Sequence, residues 1–85
     1  MRVWETTLQK EWTLRYCQEL VAELGLYEAD FLLKTKDKTI NMKSLLGLCS
    51  LLLQEGESVT ICVFGDDEEE ALHAVKQLFH TNQPS

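Results

Sequence analysis

Apolar positions along the chain follow two periods, one of strands and one of helices. Arg2 to Leu8 alternates, with Val3 on one face and Arg2, Trp4 and Thr6 on the other, which predicts a strand. Gln9 to Trp12 is polar and predicts a loop ending in an exposed tryptophan. Leu14, Cys17, Leu20, Val21 and Leu24 then recur at steps of three and four, the spacing of one helix face. Thr13 before them suits an N-cap and Gly25 after them suits a stop. Ala29 to Thr35 predicts a second strand with Phe31 and Leu33 on one face. The Lys36-Asp37 turn joins it to a third strand, Lys38 to Asn41, as a hairpin.

Ser44 to Gln54 predicts a short helix closed by Gly56. Ser58 to Phe64 is rich in β-branched residues and predicts a fourth, central strand. Asp66 or Asp67 is placed to cap a last helix, with Glu69 or Glu70 completing a capping box. The acidic run from Asp66 to Glu70 suits the positive end of that helix better than it suits calcium. Ala71, Leu72, Val75, Leu78 and Phe79 form its buried face, which puts the domain at residues 1–79 and a flexible tail at 80–85. The order β-α-β-β-α-β-α predicts an α+β sandwich of two layers: a four-stranded antiparallel sheet with three helices on one face.

Composition narrows the function. The chain has 85 residues, enough for one domain with a small core, and domains of this size are often helped by dimerisation or cross-links. With 45% hydrophobic and 26% charged residues it is too apolar to be disordered. A net charge of −6 argues against nucleic acid and against anionic membrane surfaces. Met1 to Lys10 lacks the apolar run of a signal peptide, and Leu45 to Leu53 is too short to span a bilayer, so the expected compartment is the cytoplasm. Cys17, Cys49 and Cys62 have no spacing of a disulfide framework or a zinc site and are expected as reduced thiols.

Candidate chemistry is sparse. His73 and His80 have no nucleophile near them in sequence and are expected on the surface. There is no P-loop, no glycine-rich nucleotide fingerprint and no metal-ligand spacing, so no cofactor, no metal and no turnover are expected. Asn41 to Leu53 is the informative stretch. Ser44 is an N-cap candidate, and a phosphate there would face free backbone N–H groups, with Lys43 adjacent. The helix after it is apolar all round, so some of Leu45, Leu46, Leu48, Cys49 and Leu52 must face solvent or a partner. A plain capping serine on a deeply buried helix accounts for the same residues.

A resemblance adds to this reading. Asn41-Met42-Lys43-Ser44-Leu45-Leu46-Gly47, with Gln54-Glu55-Gly56, Val59-Thr60-Ile61, Gly65 to Glu68 and Glu70-Ala71-Leu72, resembles the second half of HPr, the histidine-containing phosphocarrier family of the sugar phosphotransferase system. The likeness runs from Val3 to Phe79. In that family the phosphoryl acceptor is a histidine at the N-cap of the first helix, within Gly-(Leu/Ile)-His-Ala-Arg-Pro-Ala. The matching stretch is Glu11 to Cys17, where Thr13 replaces the histidine, Glu11 the glycine and Tyr16 the proline, while Arg15 is kept. A neutral imidazole nitrogen accepts a phosphoryl group, and an unactivated threonine hydroxyl does not.

The family's second site is a regulatory serine, modified by an HPr kinase/phosphorylase, whose phosphorylated form binds a catabolite control repressor. It matches Ser44, and the family's apolar docking patch matches Leu45, Leu46 and Cys49. Histidine lost and serine kept resembles the HPr-like paralogues of catabolite repression in bacilli, the Crh group. The resemblance thus implies a non-catalytic regulatory protein, a monomer or weak dimer, phosphorylated on Ser44. It would bind protein partners through Trp12, Arg15, Lys43, Leu45, Leu46 and Cys49. The alternative is a degenerate domain that binds a partner without phosphorylation, and an active phosphocarrier is the remote third reading.

Overall fold

The computed structural model describes residues 1–9, 11–51 and 53–81. Its elements run β1 (Arg2–Thr7), α1 (Leu14–Leu24), β2 (Asp30–Lys34), β3 (Thr39–Asn41), α2 (Leu45–Cys49), β4 (Ser58–Phe64) and α3 (Glu68–Thr81). The four strands form one sheet in the order β1-β4-β2-β3, and all three pairings are antiparallel. The apolar β4 is therefore interior to the sheet, as its composition requires.

Strand alternation separates the two faces of the sheet. Phe31 and Leu33 of β2 and Val59, Ile61 and Val63 of β4 are buried against the helices. In β1 the inward residues are Trp4 and Thr6, continued by buried Leu8, while Val3 points to the open face and is 54% exposed. Cys62 alternates outward with Val3 and Leu32 as its cross-strand neighbours and is nevertheless buried. The helices contribute Tyr16, Cys17, Leu20, Leu24, Leu48, Ala71, Val75 and Phe79 to the same core. Leu14, expected on the buried face of α1, is 58% exposed, and Tyr16 takes the inward position instead.

Three local readings differ from the structure. The second helix was expected from Ser44 to Gln54 and stops at Cys49. Ser50 bonds its hydroxyl to the Gly47 carbonyl at 2.7 Å, competing with helix continuation, and Leu53 must turn inward to be buried. Leu52 lies outside the described residues. Asp67 does not turn its carboxylate back on α3. Its two oxygens accept the amides of Glu28 (2.9 Å) and Ala29 (2.8 Å), pinning the entry to β2. Glu68 reaches back instead to the Gly65 amide. Gly65 allows this close approach, because a Cβ there would lie 2.7 Å from the Ala29 Cα and its φ is +149°. The third difference is at the end of α3, which includes His80 and Thr81. No glycine or proline interrupts the helix there, and the His80 ring lies 6.5 Å from that of Trp4. The remainder of the expected tail, residues 82–85, lies outside the described residues.

Candidate functional site

The site is built around two helix starts. Thr13 has extended backbone angles and its hydroxyl accepts the Tyr16 amide at 3.1 Å, the geometry of an N-cap. Ser44 repeats this at α2, accepting the Gly47 amide at 3.2 Å. Gly47 makes the second arrangement possible. A Cβ there would come 2.7 Å from the Ile40 side chain and 3.3 Å from the Ser44 hydroxyl.

Between the two helices lies a groove of about 320 Å³ lined by Trp12, Thr13, Leu14, Cys17, Leu48, Cys49 and Leu53. The groove brings three of the expected residues together: Trp12, Thr13 and Cys49. Trp12 is not the exposed tryptophan the sequence predicts. It is half-buried, its amide bonds the Leu53 carbonyl, and its ring meets Tyr16 and Phe79 edge-on at 5.3 and 5.5 Å. Its indole N–H is buried with no hydrogen-bond partner among the described residues. Tyr16 completes the cluster and donates its hydroxyl to the Leu78 carbonyl. Burial pushes the Tyr16 phenol far above the ordinary range, with the charges of Cys17 and Glu19 adding to the rise. This aromatic cluster escapes sequence reasoning because Phe79, which closes it on Trp12 and Tyr16, comes from the far end of the chain.

The other expected residues divide. Arg15 is 89% exposed at its side chain and pairs with Glu19 one turn on. Leu46 is 85% exposed and Cys49 is exposed. Leu45 is only half-buried and leans on the core, so it offers part of its surface. Lys43 is turned inward: its ammonium donates to the Tyr27 carbonyl at 2.7 Å and lies 5.8 Å from the Phe31 ring centre. His73 is exposed and its ring contacts Gln77. No cluster of three or more metal-ligating side chains is present among the described residues. No helix among them is long and apolar enough to cross a membrane.

The family model described as the PTS HPr component phosphorylation site matches residues 2–81. The chain belongs to the HPr family. Among curated relatives it is 34% identical over 64 residues to the phosphocarrier protein HPr of Lysinibacillus sphaericus, covering 75% of this chain and 73% of that one. It is 40% identical over 52 residues to the HPr-like protein Crh of Bacillus subtilis, covering 61% of each. Among solved structures, HPr-C-His from Thermoanaerobacter tengcongensis superposes with a TM-score of 0.86 at 26% identity, covering 95% of this chain and 93% of that one. Crh of Bacillus subtilis, described as a domain-swapped dimer, superposes with a TM-score of 0.76 at 28% identity and covers 100% and 98%. The open-faced sheet with three helices is thus the HPr fold, and the relatives it matches are phosphocarrier and HPr-like proteins.

Proposed function

We propose that this HPr-family chain is a non-catalytic regulatory protein of the sugar phosphotransferase and carbon catabolite control network, phosphorylated on Ser44 and acting by binding other proteins. The observation that carries this is the surface around Ser44. A half-buried capping serine adjoins Leu46, whose side chain is 85% exposed, with exposed Cys49 one turn further on. A phosphate on Ser44 would add charge beside an apolar contact, the combination that a partner's cations and apolar side chains read together. Because α2 has only five residues, its dipole contributes little and the partner must supply most of the recognition.

Phosphoryl transfer by the family's usual route has no acceptor in this reading. Thr13 stands where the histidine is expected, its hydroxyl is engaged as a cap, and Glu11 beside it is exposed and negative. HPr kinase/phosphorylase and a catabolite control repressor are the proposed partners, with Trp12, Arg15, Lys43, Leu45, Leu46 and Cys49 as the proposed contact set. We place the protein in the cytoplasm as a monomer or weak dimer.

A second reading has one observation in its favour: the Ser44 hydroxyl already serves as a plain cap, so the domain needs no phosphate to present Leu46. One experiment separates the two. Wild type and Ser44→Ala are incubated with HPr kinase/phosphorylase and ATP, then assayed for phosphate and for repressor capture. Phosphate on wild type alone, with capture that needs it and is lost in Leu46→Asp, supports the regulatory protein. Equal phosphorylation of Ser44→Ala, or capture without phosphate, overturns it. Incubation with phosphoenolpyruvate and enzyme I should leave no acid-labile phosphate on His73 or His80.

A further inference from the structure

Cys17 of α1 and Cys49 of α2 line the same groove, where the two helices pack against each other. Cys17 is 3% exposed and Cys49 is exposed. Both thiols are free. Their elements belong to different parts of the chain, so the meeting is a product of the fold. Cys62 lies apart from them, buried on the opposite face of the sheet.

We propose that Cys17 and Cys49 form a reversible thiol–disulfide site that reacts with hydroperoxides and ties α1 to α2 across the groove. Exposed Cys49 takes the first step. Its sulfur attacks the hydroperoxide, the O–O bond breaks, and Cys49 sulfenic acid forms with release of the alcohol, or of water from hydrogen peroxide. Cys17 takes the second. Its sulfur attacks the sulfenic sulfur, the S–S bond forms, the S–OH bond breaks, and water leaves with the Cys17 proton. Two thiols are oxidised and one hydroperoxide is reduced.

The order of the steps follows from the environments. Cys49 is open to a dissolved hydroperoxide, whereas Cys17 is 3% exposed and its thiol is pushed up to about 11, chiefly by burial, so Cys49 reacts first. In a reducing compartment such a bond is transient, as a regulatory disulfide must be. Its closure would immobilise the surface bounded by Thr13, Leu14 and Leu48. The thiol reaction needs no phosphate on Ser44, although Cys49 also belongs to the proposed contact set.

The test treats the full chain with dilute hydrogen peroxide, alkylates the remaining thiols and maps the peptides. The expected product is a monomer lighter by two hydrogen atoms, with a Cys17–Cys49 peptide that thiol reductant cleaves. Cys62 should be alkylated once the chain is unfolded. Oxidised protein should melt at a higher temperature than reduced protein, because the cross-link restricts the unfolded chain. In Cys49→Ser, a surface change, Cys17 should stay unoxidised under the same conditions. Sulfinic or sulfonic acid on Cys49, or a Cys49–Cys49 dimer, with Cys17 still alkylatable in wild type, overturns the proposal.

Discussion

Thr13 and Ser44 start two helices with the same local bond, a hydroxyl accepting the amide three residues on at 3.1 and 3.2 Å. Their surroundings differ. Thr13 opens an 11-residue amphipathic helix, and its first turn is sealed by Trp12, Tyr16 and Phe79. Ser44 opens a five-residue helix that buries Leu48 alone and leaves Leu46 in solvent. The same capping chemistry thus serves packing at one site and display at the other. What distinguishes them is the apolar surface each start commits to the core.

The largest effect should come from dismantling the α1 side. Phe79→Ala removes the ring shared by Trp4, Trp12 and Tyr16 and should cost about 3–5 kcal/mol in urea unfolding. A loss below about 1 kcal/mol would show that the aromatic cluster does not hold α1, since exposed substitutions cost that little. Next is Gly47→Ala, which drives a methyl group toward Ile40 and should cost about 1–3 kcal/mol by overpacking. It should also lower phosphorylation of Ser44, because the Ser44 hydroxyl lies 3.3 Å from the same methyl position.

The caps themselves come third. Thr13→Ala should cost about 1 kcal/mol, while Ser44→Ala should cost nearer 0.5 kcal/mol, since a shorter helix has less structure to lose. Equal costs from the same urea titrations would remove the distinction between packing and display.

The smallest effect is in alkali. The Cys17 thiol titrates at about 11 in the fold, above its value in the unfolded chain. Unfolded protein therefore releases that proton first. The contribution is fully present below the ordinary thiol range and is lost as pH rises through about 11. Tyr16 acts in the same direction at higher pH. Urea midpoints of reduced protein measured across the alkaline range should fall more steeply in wild type than in Cys17→Ala. Parallel curves would place the alkaline sensitivity elsewhere.

The element order, both hydroxyl caps and the central position of β4 were legible in the sequence, because each follows from periodicity or from a residue's own backbone chemistry. The interior of β4 reads directly from Val59, Ile61 and Val63. What escaped was decided by distant partners. Asp67 looks like a cap until the amides of Glu28 and Ala29 arrive from the far side of the chain. Trp12 looks exposed until Phe79 packs on it. The apolar run after Ser44 looks like a full helix until Leu53 is needed in the core. Around the candidate site, the Ser44 cap was legible from its place before an apolar run, and the exposure of Leu46 from a helix apolar all round. The inward turn of Lys43 was not, because it depends on the Tyr27 carbonyl.

The position of β4 between β1 and β2 bears on how the chain acquires its fold during synthesis. Neither β1 nor β2 has its long pairing partner until Ser58 to Phe64 has been made, since both zip onto that strand. A nascent chain that stops short of Ser58 retains only the small β2–β3 hairpin, with the inward faces of Trp4, Phe31 and Leu33 uncovered. Assembly therefore waits on translation of the last strand and then closes a long-range pairing, the slow kind of step. A pause on the messenger just before that strand would prolong the interval in which β1 and β2 lack the strand they pair with.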